Sequence, residues 1–226
     1  TIDATKLTGN LPAISGASLT GISDESGLAS QQVFTSSGTW TKPSGIAQVK
    51  VTVVGGGGGG SAWDSGDDNA MGGGGAGASI EIIDVSSVSS VTVTIGAGGA
   101  GSGTNANGSA GGTTSFGSYL QATGGSGGSR ANAVPSASAG GVGSNGDINF
   151  TGQKGSGGMI QNVSQENNMG GSGGNSLLGF GGAFMAYGGS AQPGTGFGAG
   201  GGGRVDSGSP TGAAGSAGIV IVEEFT

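Results

Sequence analysis

The apolar residues of this chain are concentrated in a few short blocks that are rich in valine and isoleucine. Residues 49–54 (VKVTVV) and 91–95 (VTVTI) carry a β-branched side chain at nearly every position, and 80–83 (IEII) and 219–222 (IVIV) are similar. Such blocks predict β-strands, and the continuous apolar block at 219–222 predicts a buried one. The pattern predicts a mainly β fold with strands over about 32–54, 79–95, 113–123 and 218–226.

Runs of glycine, interrupted by little except Ala and Ser, separate these blocks. Glycine supplies 59 of the 226 residues, and ordering each glycine costs about 0.5–1 kcal/mol more than ordering alanine. Polyglycine II helices have three residues per turn and no internal hydrogen bonds, so neighbouring helices can pair their backbone groups. We predict an inserted polyglycine II helix bundle, with the spacers between runs as loops at its two ends. A disordered glycine-rich linker is the alternative that composition alone leaves open.

The first residues have a different texture. A Leu-Thr-Gly unit at 7–9 returns at 19–21, and small polar residues surround the isolated Leu and Ile side chains. One such chain cannot build a core, but three copies wound together could bury these side chains on a common axis. We predict a fibrous trimeric stalk over 1–31, a glycine-rich tip over 32–226 and therefore a homotrimer.

Four stretches of the chain carry a family resemblance. They are the segment at 33–43 (VFTSSGTWTKP), the strand and glycine run at 51–60, and the segments at 91–101 and 215–222. Together they resemble the glycine-rich C-terminal domains of phage tail fibres, and the Leu-Thr-Gly units are similar to the shaft sequences that precede such tips. The resemblance implies a β-sandwich, of which a tumour-necrosis-factor-like jelly roll is one form. It also implies an extracellular virion protein whose tip loops bind a bacterial surface receptor, either an outer-membrane protein or a polysaccharide.

Charge and composition exclude several other classes of function. The formal net charge is −7 with only six Lys and Arg residues, which disfavours nucleic acid and anionic lipid as partners. The chain has no apolar run long enough to span a bilayer, so we expect no membrane insertion. It also has no Cys and no His, which removes disulfides and the usual zinc, haem and thiol chemistry. We expect no cofactor.

Catalytic chemistry finds little support in the sequence. Nucleophilic triads need His or Cys, and glycoside hydrolysis needs paired carboxylates in a cleft. The acids Glu81, Asp84, Glu223 and Glu224 fall on predicted strands or at the end of the chain instead. No glycine run has the Gly-Lys-Ser/Thr ending of a phosphate-binding loop. We therefore assign no catalytic residue and expect a protein that is not an enzyme.

One short acidic segment is a candidate calcium site. Asp64, Asp67, Asp68 and Asn69 could supply oxygen ligands, although their spacing departs from the regular alternating-acid loop. A solvated acidic turn is the favoured interpretation, and no metal ligand is assigned.

Aromatic and amide side chains in the spacers are the candidates for receptor binding. Aromatic residues on rigidly held loops are typical of binding sites, and Asn and Gln suit sugar hydroxyls or protein backbone. Sealing the bundle, packing between protomers and plain loop solubility are the alternatives. Because successive spacers should alternate between the ends of the bundle, we expect the loops near Trp63, Phe150, Gln161 and Phe184 to share one surface. The predicted receptor-binding residues are Trp63, Asp64, Phe150, Lys154, Gln161, Asn162, Gln165, Phe180, Phe184 and Tyr187.

The leading hypothesis is thus a tail-fibre tip adhesin that recognises a bacterial receptor. The alternative from another class is a purely structural or ice-binding glycine bundle. An ice-binding surface requires hydroxyl side chains in a regular row, whereas the Thr residues of this chain concentrate in the strand blocks.

Overall fold

The computed structural model describes residues 27–64, 69–131, 137–159 and 168–226. Within these ranges the chain contains β-strands and extended runs and no helix. The predicted stalk lies outside the described residues except for its last few positions. The strands are β1 (Leu28–Phe34), β2 (Gly38–Thr41), β3 (Gln48–Val54), β4 (Ala62–Trp63), β5 (Asn69–Ala70), β6 (Ala78–Asp84), β7 (Ser90–Thr94), β8 (Thr114–Phe116), β9 (Leu120–Ala122), β10 (Arg130–Ala131), β11 (Gly143–Ser144), β12 (Ile148–Phe150), β13 (Leu178–Phe180), β14 (Thr195–Phe197), β15 (Arg204–Val205) and β16 (Ile219–Phe225).

Two five-stranded antiparallel sheets form the base of the molecule. The first has the strand order β1-β16-β3-β6-β12 and the second has the order β11-β9-β8-β7-β2. The inward side chains of both sheets share one hydrophobic cluster, which includes Val51, Val220, Trp40, Phe116 and Leu120. Alternate residues of a strand point to opposite faces, which is why the valines of β3 alternate with Lys50 and Thr52. The prediction of a mainly β fold is confirmed.

A buried carboxylate joins the two ends of the described chain. Glu224 of β16 is fully buried, and its Oε1 accepts hydrogen bonds from Trp40 Nε1 and Gln32 Nε2, both at 2.7 Å. Ser30 Oγ donates to the other carboxylate oxygen. Through these bonds and the pairing with β16, the first sheet includes the chain from Leu28 onward. The sheet begins earlier than the strand pattern indicated.

The glycine run at 55–60 donates its successive backbone N–H groups to different neighbours. The acceptors repeat every three residues, so that three returning runs surround the donor run. The donor and acceptor pairs are Gly55 to Gly77, Gly58 to Gly74, Gly56 to Gly112, Gly59 to Ser109, Gly57 to Ser216 and Gly60 to Ala213, at 2.8–3.1 Å. A period of three is the one that polyglycine II helices have.

The carbonyl groups of the same run accept hydrogen bonds from further runs. Three outgoing runs supply these donors, so six runs in total (three acceptors plus three donors) surround the run at 55–60. The donor and acceptor pairs are Gly99 to Gly57, Ser102 to Gly60, Gly125 to Gly56, Gly128 to Gly59 and Gly201 to Gly58. Packing of this kind satisfies the backbone of a fully buried run without a sheet ladder.

The runs leave the sheets and return to them in antiparallel pairs. The outgoing run at 55–60 returns as 71–77, and the run at 95–102 returns as 108–113. The loops between the paired runs therefore collect at the end of the bundle opposite the sheets. The other outgoing runs, at 123–129, 151–159, 181–185 and 198–203, return as 138–142, 168–175, 190–194 and 212–218.

Close packing predicts that most run glycines do not tolerate a methyl group. A Cβ on Gly59 would lie 2.0 Å from the carbonyl oxygen of Ala100, and Gly99 and Gly171 show the same conflict with Ser109 and Ser156. We expect Gly59→Ala to lower the free energy of unfolding by at least about 3 kcal/mol, since it overpacks the bundle and breaks backbone hydrogen bonds. Urea unfolding measures the change.

The matched control is Gly103→Ala. A Cβ there meets no atom within 4 Å, and its φ is not in the left-handed region. We expect stability that is unchanged or raised by about 0.4–1 kcal/mol, because alanine restricts the unfolded chain. Equal stability of the two variants would contradict the packing described above.

The buried carboxylate generates a second prediction. Glu224→Leu leaves the buried indole donor of Trp40 and the part-buried amide donor of Gln32 without their acceptor, at about 1–3 kcal/mol for the buried donor. Its neighbour Glu223 forms a partly exposed ion pair with Lys50, 2.8 Å between Nζ and Oε2. Glu223→Leu should therefore cost about 1 kcal/mol or less. Thermal melting followed by near-ultraviolet circular dichroism measures the stability of both variants. A smaller loss of stability for Glu224→Leu than for Glu223→Leu would refute the stabilising role of the buried Glu224 carboxylate.

Candidate functional site

The described loops at the far end of the bundle form one continuous surface, which we call the distal surface. It comprises residues 62–64, 103–107, 129–131, 185–187 and 204–211. Each loop joins an outgoing run to a returning run, so its ends are fixed by the backbone bonds of the bundle. Loops fixed at both ends lose little conformational entropy when they bind.

Trp63 lies at the centre of this surface. Its strand β4 pairs in parallel with β15, with Val205 beside Trp63, and Asp206 N donates to Trp63 O at 3.1 Å. The guanidinium carbon of Arg130 lies 4.6 Å from the Trp63 ring centroid, which is cation–π geometry. Trp63 Nε1 is buried and has no hydrogen-bond partner in the part of the chain that the structure describes. The indole is therefore a half-buried, packed ring whose Nε1 is enclosed.

Asn105 connects the neighbouring loops to Asp64 and Arg130. Asn105 Nδ2 donates to Asp64 Oδ1 at 2.7 Å, and Asp64 N donates back to Asn105 Oδ1 at 3.1 Å. Arg130 Nη1 donates to Asn105 O at 3.2 Å, and Arg130 N donates to Asn107 Oδ1 at 3.0 Å. Asn105 has a φ of 58°, a left-handed conformation that Asn tolerates better than most residues. Three loops are thus held in one arrangement.

Sequence reasoning missed Asn105, Asn107 and Arg130. Amide residues occur in most spacers, so Asn105 and Asn107 did not stand out in the sequence. Arg130 was distinguished only as one of six Lys and Arg residues. Which spacers lie next to each other depends on how the runs pack, and the sequence pattern does not contain that order.

The rim of the distal surface carries Tyr187 and an ion pair. Tyr187 Oη accepts a hydrogen bond from Ser207 N at 3.1 Å. Arg204 Nη2 lies 2.6 Å from Asp206 Oδ2, and both side chains are largely buried. Thr104 Oγ1 donates to Pro210 O at 3.2 Å, which ties a further pair of loops together.

Phe184 lies in an apolar cleft beside residues 185–187 of the distal surface. The cleft has a volume of about 160 Å³ and is lined by Met159, Met169 and Phe184 together with Ser156, Gly157 and Gly170. Phe184 and Met159 are both more than half exposed. The predicted binding residues Gln161, Asn162 and Gln165 lie outside the described residues, in the segment that follows Met159.

The expectation that Phe150 shares a surface with Trp63 and Phe184 is wrong. Phe150 belongs to β12 and pairs with Ala78, so it lies beside the first sheet at the opposite end of the bundle. Phe180 belongs to β13 and pairs with Thr195, also towards the sheets. Lys154 is exposed on the run at 151–159, between the two ends. Short strands hold Phe150 and Phe180 at the base, although the sequence pattern placed both residues in spacers.

The pKa values of two acidic side chains at the base are shifted by their surroundings. Burial and the charge of Asp147 raise the pKa of Glu81, whereas hydrogen bonds from the side chain and backbone of Ser86 lower the pKa of Asp84. No group of three or more His, Cys, Asp or Glu side chains that could hold a metal ion occurs among the described residues. Asp67 and Asp68, of the acidic segment considered above, lie outside them.

The comparisons with known proteins agree with this architecture. The family model of a glycine-rich domain matches residues 32–224. The chain therefore belongs to the glycine-rich domain family, and the match spans both sheets and the bundle between them. A search of curated proteins found no match. In the described part of the chain, no helix is long and apolar enough to cross a membrane.

The stacking of Arg130 on Trp63 generates a prediction. The protein has two Trp residues, and Trp40 is fully buried, so a change in acrylamide quenching reports Trp63. Arg130→Ala should uncover the ring, raise the quenchable fraction and lower stability by about 0.5–1 kcal/mol. Lys154→Ala is the control and should change neither quantity. Unchanged quenching in Arg130→Ala would show that the stacking does not persist in solution.

Proposed function

We propose that this chain is the receptor-binding tip of a phage tail fibre. In this proposal it is a non-enzymatic, extracellular adhesin of the virion, and its distal surface binds an outer-membrane protein or polysaccharide of a bacterium. One observation carries the proposal: reversing glycine runs bring several chemically different loops to one end and hold them there. The resemblance of residues 33–43 and of the glycine-rich segments to tail-fibre tips adds support.

The chemistry of the distal surface suits recognition of a cell-surface molecule. Trp63 offers a half-buried aromatic ring, and Trp, Tyr and Arg are the residues enriched at binding hot spots. Asn105 and Asn107 hold the arrangement, and Arg130 adds a positive charge to an otherwise acidic chain. Such a surface can stack on a sugar ring or an apolar side chain and donate hydrogen bonds to its edge.

The finer features of the fold belong to the same proposal. The two facing sheets are proposed to form a sandwich of the tumour-necrosis-factor-like jelly-roll type. Residues upstream of β1 are proposed to form the shaft of a homotrimer. Neither nucleic acid nor membrane insertion has a role in this function, and no cofactor is required.

Binding to cells is the direct test of the proposal. Labelled protein is titrated against a panel of bacterial strains that includes defined surface mutants, and bound label is measured per cell. Trp63→Ala should weaken binding to a susceptible strain by about tenfold or more, as hot-spot truncations do. Its melting temperature should stay close to that of the unaltered protein, since the surface is not part of either hydrophobic cluster.

Gln121→Ala serves as the control, because Gln121 is exposed on the second sheet at the opposite end of the bundle. It should bind as the unaltered protein does. If Trp63→Ala melted normally and bound normally, the distal surface would not be the receptor site. Loss of binding in mutants that lack one outer-membrane protein, or in mutants that lack the polysaccharide, identifies the receptor class.

A further inference from the structure

Much of the outer face of the first sheet is apolar, and the β13–β14 hairpin packs on one row of it. One row across the sheet pairs Val33 of β1, Ile221, Thr52 and Ile80 with Ile148 of β12. Val33 and Ile148 are 53% and 52% exposed. The inward faces of the same strands already share the cluster between the two sheets. A sheet that is apolar on both faces normally has both faces covered.

The β13–β14 hairpin extends this face. Phe197 packs against Val54, Ala78 and Ile219, which form the next row of the sheet. Leu178 pairs with Phe197 across the hairpin and therefore points to the same side. Phe180 follows two residues later and is 75% exposed. We name the combined surface the outer apolar face: the outward residues of β1, β16, β3, β6 and β12, together with Leu178, Phe180 and Phe197.

The size of the outer apolar face indicates an interaction surface. Five strands about 4.8 Å apart span roughly 20 Å, and three rows plus the hairpin span a similar length. This outline covers about 400 Å². The row of Val54, Ala78 and Ile219 within it is already buried, and the exposed remainder is in the range of a few hundred Å² where apolar patches mark interaction sites on soluble proteins.

We propose that the outer apolar face packs against a second copy of this chain in the homotrimer. This inference rests on the trimeric part of the proposed function. The chain has a net charge of −7, so two copies can approach closely only through an uncharged or self-neutralised surface. The two upper rows of the face carry no charged residue, and on the next row Lys50 and Glu223 neutralise each other.

The position at which the chain enters the domain also supports a second copy of this chain as the partner of the face. β1 is an edge strand of the first sheet, and the predicted shaft precedes it. If chains run side by side along the shaft, each chain brings its first sheet next to the first sheet of another copy. The resulting high effective concentration allows a modest apolar face to associate.

Thiol labelling tests whether the face is covered in the full chain. The protein contains no Cys, so a single introduced thiol is a unique probe. Ile82 and Ile148 would be 58% and 52% exposed in an isolated chain. In the assembled protein, Ile82→Cys and Ile148→Cys should react with a maleimide at least about tenfold more slowly than an exposed thiol. The matched control is Gln121→Cys, since Gln121 is exposed on the outer side of the second sheet.

Light scattering of the same proteins separates the outcomes. The proposal predicts three times the 20.8 kDa chain mass and slow labelling of both face variants. It also predicts that the Ile148→Lys trimer dissociates at concentrations about tenfold or more above those at which the unaltered trimer dissociates. The Gln121→Lys trimer should not show this shift.

A trimer whose face thiols react as fast as the control would overturn this interface and leave the homotrimer of the proposed function intact. A monomeric mass would overturn both. Slow labelling of the face thiols in a monomer would mean that residues of the same chain cover the face, and it would likewise overturn the proposal. Receptor binding by Trp63→Ala is measured independently, so failure at the face and failure at the distal surface remain distinguishable.

Discussion

Backbone hydrogen bonds between glycine runs are the interaction on which the rest of this structure depends. The buried runs at 55–60 and 71–77 have almost no side chains, so the hydrophobic effect contributes little to their order. Each N–H finds a carbonyl on a neighbouring run, in a pattern that repeats every three residues. The pattern tolerates no Cβ at positions such as Gly59, where neighbouring carbonyl oxygens lie 2.0 Å from the site that a Cβ would take. Glycine is therefore a requirement of packing here, and the entropic cost of ordering it is offset by these bonds.

This constraint divides the molecule into three regions with different chemistry. At the base, two sheets share an ordinary hydrophobic cluster and hold the run ends in register, with Glu224 joining the strands nearest both chain ends. In the middle, the runs are mostly glycine and present few side chains, of which the exposed Lys154 is one. At the far end, the loops regain side-chain diversity, and bonds among Asp64, Asn105 and Arg130 hold them together. A surface of this kind can vary its sequence without disturbing the backbone pairing that supports it.

The sequence predicted where the strands lie better than it predicted which glycine runs lie side by side. Residues 49–54 and 219–222 carry the β-branched pattern that burial imposes, and both lie in central strands of the first sheet. The glycine runs predicted a period of three, but glycine has no side chain that could encode which run lies beside which. The same gap explains the error at Phe150: a three-residue strand after a tight turn resembles a spacer, yet pairing with Ala78 fixes it at the base.

Amide hydrogen exchange tests the central claim most directly. If inter-run hydrogen bonds hold the bundle, the N–H groups of Gly57, Gly58 and Gly59 should exchange as slowly as that of Val51, which lies inside the first sheet. Both sets should then open together in denaturant as one cooperative unit. Exchange of these glycines at rates near those of an unfolded peptide, while Val51 stays protected, would contradict the account.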